Sequence, residues 1–125
     1  MRNIKFRGKH INYENWIYGG ILQWNDIVAI IQHCHKVDSI WKTDRIRVKP
    51  ETVGQYTGYN AENGELYGGD LINDNMEVYW SDQWNAWAVR KSGNKTIGAL
   101  LYKFIVNCNE DEIRIVGNIY ESEDE

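Results

Sequence analysis

The chain has 125 residues and a formal net charge of −4, with 42% hydrophobic and 13% aromatic residues. This length predicts one domain, residues 1–125, and the hydrophobic content excludes a disordered chain. The longest apolar runs, residues 27–31 and 99–102, are too short to cross a bilayer, so no membrane contact is expected. The first residues lack the pattern of a secretion signal, so we expect a cytoplasmic protein in which Cys34 and Cys108 are free thiols.

Charge is distributed unevenly along the sequence. Residues 1–50 contain nine Lys or Arg and four Asp or Glu, a balance of +5, whereas residues 51–125 contain five and fourteen, a balance of −9. The pattern predicts a basic N-terminal part (1–50), an acidic C-terminal part (51–120) and a solvated acidic tail (121–125). Because a nucleic-acid binder needs a basic surface, only the first part qualifies, and duplex DNA is disfavoured as a partner.

The elements before the single proline, Pro50, have the patterns of strands. Residues 16–23 predict a strand that bends at Gly19-Gly20, and residues 26–33 are β-branched and apolar. Residues 37–48 favour extended structure over helix. Pro50 itself fixes φ for a short helical or type I turn.

The chain after Pro50 alternates short strands with turn signals. Asn63-Gly64 is the strongest hairpin signal, because both residues tolerate positive φ. The other predicted elements are strands at residues 55–59, 77–80, 84–90 and 112–120 and a short helix over residues 96–106. The whole pattern predicts a mostly β fold of coiled antiparallel sheets with at most one short helix.

Three motifs, found in order along the chain, link it to a known family. Residues 1–8 are Met-Arg-Asn-Ile-Lys-Phe-Arg-Gly; residues 48–72 run from Val-Lys-Pro-Glu-Thr-Val-Gly-Gln-Tyr to Tyr-Gly-Gly-Asp-Leu-Ile; residues 113–121 are Ile-Arg-Ile-Val-Gly-Asn-Ile-Tyr-Glu. Over essentially its whole length the chain resembles the YopX family of bacteriophage and prophage proteins. The resemblance implies a phage origin, a location in the host cytoplasm, a C-terminal half curled into a small SH3-like barrel, and no established reaction.

His33, Cys34 and His35 form the most reactive group of neighbours in the sequence. In a strand, His33 and His35 point to one side and Cys34 to the other, so a metal ion there would still need two more ligands. A pair of surface histidines is therefore preferred over a zinc site. Neither Cys34 nor Cys108 stands with the base and carboxylate that a nucleophile needs.

Four carboxylates of the second half, Asp70, Asp74, Glu77 and Asp82, are the candidates for hydrolytic chemistry. Their spacing follows turns, where Asp is favoured for its backbone hydrogen bonds. A turn-closing role is preferred for Asp70, and Gly68-Gly69 lacks the lysine and helix of a phosphate loop. The sequence therefore predicts no catalytic residue, no metal site and no cofactor.

Aromatic residues give the main indication of function. There are six Trp and eight Tyr but only two Phe. Trp and Tyr carry a polar group and favour boundaries and interfaces, although each ring has the alternative of filling the core. The candidate partner-binding residues are Trp16, Trp41, Arg45, Arg47, Tyr56, Trp80, Trp84, Trp87 and Arg90.

These observations predict a non-enzymatic accessory protein that binds a host protein or its own copies, as a homo-oligomer. Two alternatives remain open. One is a sponge that sequesters a nucleotide signal of antiphage immunity, because rings and arginines in the basic part suit an anionic, ring-bearing ligand. The other is single-stranded nucleic-acid binding, which the acidic second half opposes.

Overall fold

The computed structural model describes residues 4–23, 29–93, 98–108 and 112–121. Residue contacts divide the chain into two compact units, Met1–Tyr56 and Thr57–Glu125. The sheets of both units are antiparallel, and the described residues include one α-helix, so the prediction of a mostly β fold is confirmed. The single-domain interpretation stays a prediction.

The first unit is built from strands in meander order. Its elements are β1 (Phe6–Lys9), β2 (Trp16–Gln23), β3 (Ala29–Val37), β4 (Ile40–Val48), a 3₁₀ turn (Pro50–Thr52) and the start of β5 (Gly54–Ala61), which crosses the unit boundary after Tyr56. The strands pair in the order β4-β3-β2-β1-β5. The bounds of β2 and the turn at Pro50 agree with the sequence prediction.

The pairing partner of β2 changes at its two glycines, Gly19 and Gly20. The strand pairs with β1 up to Gly19 and with β3 from Gly20 onward. A Cβ on Gly19 would lie 2.0 Å from the carbonyl oxygen of Gln32, whereas nothing lies within 4 Å of a Cβ on Gly20. Gly19 therefore permits the close approach of β3, and β2 is continuous through both glycines.

The core of the first unit lies where β3 meets the end of β4. Ala29, Ile31 and Val48 are fully buried there. The end of β4 is also held against β1: His10 forms a bridge with Val48, and the Ile11 N–H donates to the Arg47 carbonyl at 3.0 Å. These contacts fix one end of β4, whereas β3 is the only described strand that pairs with its beginning.

The hairpin of β3 and β4 extends beyond β2. The two strands pair from Ala29–Val48 to Val37–Ile40, but β2 stops pairing with β3 at Gln32. Residues 33–37 and 40–44 therefore form a two-stranded arm. This arm, together with the adjoining Gln32 and residues 45–47, is called here the β3–β4 ribbon. Asp38 and Ser39, with φ of 48° and 68°, make its two-residue turn. The strand predicted at residues 26–33 continues to Val37, and residues 26–28 lie outside the described residues.

The second unit contains a hairpin and a five-stranded sheet. After β5 come β6 (Gly64–Tyr67), β7 (Asp70–Ile72), β8 (Met76–Ser81), β9 (Ala86–Lys91), β10 (Gly98–Leu100), α1 (Leu101–Asn107) and β11 (Ile115–Asn118). The predicted turn at Asn63-Gly64 joins β5 to β6, and the sheet order is β10-β9-β8-β7-β11. The described strands form no closed barrel, so the SH3-like barrel stays a prediction.

A hydrophobic cluster and a buried carboxylate organise the second unit. The fully or largely buried members of the cluster are Ala61, Leu66, Ile72, Val78, Val89, Leu101 and Ile113. Asp70 is 1% exposed, and its Oδ2 accepts the Tyr67 N–H at 2.8 Å. This contact is the turn-closing role predicted for Asp70.

The only described α-helix, α1, starts later than the sequence predicts. It begins at Leu101 rather than at Thr96, because residues 98–100 form β10, and residues 96–97 lie outside the described part. No helix among the described residues is long and apolar enough to span a membrane.

Candidate functional site

The β3–β4 ribbon has two distinct faces, set by the alternation of side chains along each strand. Residues directly opposite each other in the register share a face. One face, called here the Trp41 face, carries Gln32, Cys34, Lys36, Trp41, Thr43, Arg45 and Arg47. The other, called here the Asp44 face, carries His33, His35, Val37, Ile40, Lys42 and Asp44.

The Trp41 face presents an open aromatic ring among cations. Trp41 is 68% exposed, and Lys36 Nζ lies 5.4 Å from its ring centroid. Arg45 and Arg47 follow on the same face at alternate positions, and Arg45 Nε donates to Gln32 Oε1 at 3.0 Å. The ring and the three cations together suit an acidic or anionic partner.

The Asp44 face places the two predicted histidines side by side. Their rings are stacked, with centroids 5.7 Å apart, and His35 Nε2 lies 2.8 Å from Asp44 Oδ2. Cys34 Sγ contacts Thr43 Oγ1 at 3.4 Å on the opposite face, as the sequence predicts. Within the described residues, no three His, Cys, Asp or Glu are grouped so as to hold a metal ion.

Trp16 and Tyr56 lie elsewhere in the first unit, against its own cations. The Trp16 ring is half-buried, with the Arg7 guanidinium carbon 4.6 Å and Lys9 Nζ 5.8 Å from its centroid. Tyr56 is only 7% exposed and lies 5.2 Å from Lys5 Nζ. Tyr56 is therefore largely covered, the Trp16 ring faces cations of its own unit, and neither ring lies on the ribbon.

Glu14 pairs with Lys9, one of the two cations near the Trp16 ring. Its carboxylate accepts a hydrogen bond from Lys9 Nζ at 3.1 Å. This hydrogen bond, and after it the charges of Lys9 and Lys49, hold the pKa of Glu14 below its ordinary value. The Lys9 ammonium is therefore engaged by a carboxylate of the same unit.

The tryptophans of the β8–β9 hairpin form a second aromatic group in the other unit. Trp80 and Trp87 are opposite each other, with ring centroids 5.4 Å apart at 81°. Trp80 is 45% exposed, while Trp87 packs against the core. Trp84 is 41% exposed in the turn, where its backbone N–H donates to Ser81 Oγ at 3.1 Å.

Arg90 is on the other face of that hairpin and is already engaged. Its Nε donates to Glu77 Oε1 at 3.2 Å, and its guanidinium carbon lies 3.9 Å from the Tyr79 ring centroid. The structure therefore does not bring Arg90 to Trp80 or Trp87, whose side chains point to the opposite face.

Three of the predicted residues, Trp41, Arg45 and Arg47, do share one face. Sequence reasoning missed Lys36, which lies directly opposite Trp41. The missing information was the two-residue turn at Asp38-Ser39, because that turn sets the register that brings the two side chains together.

The described fold and this site define a mostly β protein whose first unit carries a basic and aromatic hairpin. Comparisons with protein-family models, with curated proteins and with solved structures find no match.

Proposed function

We propose that this chain is a non-enzymatic accessory protein that binds a host protein or its own copies through the β3–β4 ribbon. Its resemblance to the YopX family supports a bacteriophage or prophage origin and action in the host cytoplasm. The observation that supports the binding role best is the ribbon itself, which holds Trp41 68% exposed on a two-stranded arm.

An exposed two-stranded hairpin is marginally stable by itself in water. The ribbon nevertheless ends in three apolar side chains, Val37, Ile40 and Trp41, all exposed to solvent. Exposed apolar groups bordered by charged residues are typical of protein-binding surfaces, and Trp and Arg are the residues most often dominant in such interfaces. The ribbon therefore has the composition of an interface.

Two of the four carboxylates considered for catalysis, and one of the two histidines considered for metal binding, take part in structural contacts. Asp70 closes a turn by accepting the Tyr67 N–H. Glu77 accepts from Arg90, and His35 contacts Asp44. These contacts give Asp70, Glu77 and His35 a role in the fold, which supports binding over turnover.

We expect replacement of Trp41 by serine to lower partner affinity at least about tenfold, because a central interface Trp often contributes 2 kcal/mol or more. The measurement is affinity capture from host lysate with quantitative mass spectrometry, run beside sedimentation of the purified protein. The matched control is W80S, since Trp80 is a partly exposed Trp of the other unit. Equal capture and equal sedimentation for the two variants would show that the ribbon is not the binding surface.

A second candidate function is binding of single-stranded nucleic acid, favoured by Trp41 lying on one face with Lys36 and Arg45. Stacking of a base on Trp41 is expected to quench its fluorescence, and binding should weaken steeply as salt rises. Titration with an oligothymidine at two salt concentrations measures both effects. If the fluorescence at low salt is unchanged relative to W41S, this candidate is removed.

The sponge alternative is tested separately, by measuring the shift in melting temperature of the protein with cyclic and ADP-ribose nucleotides.

A further inference from the structure

The outer edge of β4 exposes a defined set of backbone groups. Val37 and Ile40 close a two-residue turn, so they form a hydrogen-bonded pair, and the bonding alternates along the strand from there. The odd-numbered residues of β4 consequently direct their N–H and C=O groups away from β3. The hydrogen bond from the Ile11 N–H to the outward carbonyl of Arg47 agrees with this alternation.

Among the described residues, the unpaired part of the β4 edge is three alternate positions long. Ile11 occupies the edge at Arg47, whereas among the described residues no backbone group pairs with the outward groups of Trp41, Thr43 and Arg45. These three residues are centred on Thr43. Unpaired groups on an extended edge are a template for another strand.

The edge strand of the second unit shows the contrasting, protected arrangement. Asn63 lies beside β11, where its Oδ1 accepts the Ile115 N–H at 2.8 Å and its Nδ2 donates to the Ile115 carbonyl at 2.9 Å. A side-chain amide thus satisfies the backbone groups that a further strand would use. The middle of β4 has no equivalent among the described contacts.

We propose that β4 pairs antiparallel with β4 of a second copy of this chain, about a twofold axis at Thr43. This inference rests on the proposed function, because it names the partner of the ribbon. A twofold axis perpendicular to the sheet keeps each side chain on its own face, so the two Trp41 faces become continuous. Thr43 then meets Thr43, and each outward group of Trp41 and Arg45 finds a backbone partner in the other copy.

Side chains are complementary in this register. Lys42 lies opposite Asp44 of the second copy, and Trp41 lies opposite Arg45 of the second copy. Ile40 lies opposite Ile46 of the second copy. Opposite charges, ring–cation pairs and apolar pairs at directly opposed positions all stabilise a sheet.

Other symmetric registers of the same edge are less favourable. A twofold axis at Lys42, Asp44 or Arg45 places two like charges directly opposite each other, which destabilises strand pairing. An axis at Trp41 brings Asp38 opposite Asp44. The proposed register avoids both conflicts and also pairs the outward backbone groups of Trp41, Thr43 and Arg45.

Pairing would complete the candidate site. Each Trp41 ring would lie between Lys36 of its own copy, already 5.4 Å away, and Arg45 of the second copy. The resulting four-stranded ribbon presents both tryptophans and both sets of cations on one continuous face. The second copy therefore contributes residues to the binding surface of the first.

The test is disulfide trapping of T43C in a C34S/C108S background. Only a residue on the twofold axis lies directly opposite the same residue of the second copy. T43C is therefore expected to form a covalent dimer under mild oxidation. K42C and D44C in the same background are the controls, since each is two residues out of register with its copy, with Cα atoms farther apart than the roughly 7 Å that a disulfide spans. Equal trapping of the three variants, or trapping of wild-type Cys34 with no trapping of T43C, overturns the proposal.

A charge exchange gives an independent readout by sedimentation equilibrium. K42D and D44K each place like charges at two symmetric positions and are expected to raise the dimer dissociation constant about tenfold. The double variant K42D/D44K restores opposite charges and is expected to restore the dimer; failure of this rescue overturns the register. A monomeric protein that still captures a host partner through Trp41 overturns this inference alone, whereas loss of both activities overturns the proposed function as well.

Discussion

Replacing Gly19 by alanine is expected to lower the free energy of unfolding by about 3 kcal/mol or more. The new Cβ would lie 2.0 Å from the Gln32 carbonyl oxygen and 2.9 Å from its carbon, so β3 must move away from β2. These are backbone atoms, which cannot rotate aside as the end of a side chain can. The effect is measured by urea denaturation followed by circular dichroism.

The neighbouring glycine provides the control for this prediction. A Cβ on Gly20 meets nothing within 4 Å. G20A is therefore expected to change the free energy of unfolding by less than about 1 kcal/mol. Equal unfolding midpoints for G19A and G20A would contradict the close packing of β2 against β3.

Replacing Asp70 by alanine is the second large change, with an expected loss of about 2–3 kcal/mol in the free energy of unfolding. Asp70 is 1% exposed, and its carboxylate accepts the buried N–H of Tyr67. Alanine leaves that donor without this acceptor in a place where water does not replace it. The unfolding midpoint in urea reports the loss.

The variant D70N tests whether the stability lost in D70A comes from the hydrogen bond to Tyr67 or from the smaller side chain. An asparagine keeps an oxygen able to accept the Tyr67 N–H, so about half of the stability lost in D70A is expected to return. Identical midpoints for D70A and D70N would mean that the contact with Tyr67 contributes little. Circular dichroism of both variants checks that the second unit keeps its strands.

Sequence patterns predicted the elements whose signals are local. The bounds of β2 follow from its apolar residues, and the first hairpin of the second unit follows from Asn63-Gly64. Pro50 begins a 3₁₀ turn as expected. Of the strand predicted at residues 112–120, β11 covers residues 115–118, and Ile113 just before it is buried.

The ribbon was harder to predict because both of its faces are exposed. Beyond Gln32, β3 shows no alternation of apolar and polar residues, so the pattern stops signalling a strand although hydrogen bonds to β4 continue to Val37. The turn adds to the difficulty, since Ser39 takes a positive φ of 68° that serine rarely adopts.

The candidate site was predictable to the extent that it lies on one strand. Trp41, Arg45 and Arg47 alternate along β4, so strand geometry places them on one face. The burial of Tyr56 and the contact of Arg90 with Glu77 depend on residues distant in sequence, which no local pattern reveals. Long-range pairing decided which of the aromatic residues are available to a partner.

The most direct test of the ribbon as the binding surface is amide hydrogen exchange, resolved by residue, in the assembled or partner-bound protein. We predict slowed exchange for the outward amides of Trp41, Thr43 and Arg45, relative to the same amides in W41S. Lys42 and Asp44, whose amides face β3, serve as the internal reference and should change little. If the three outward amides exchange equally fast in every assembled state, while protection arises elsewhere in the chain, the ribbon is not where this protein binds.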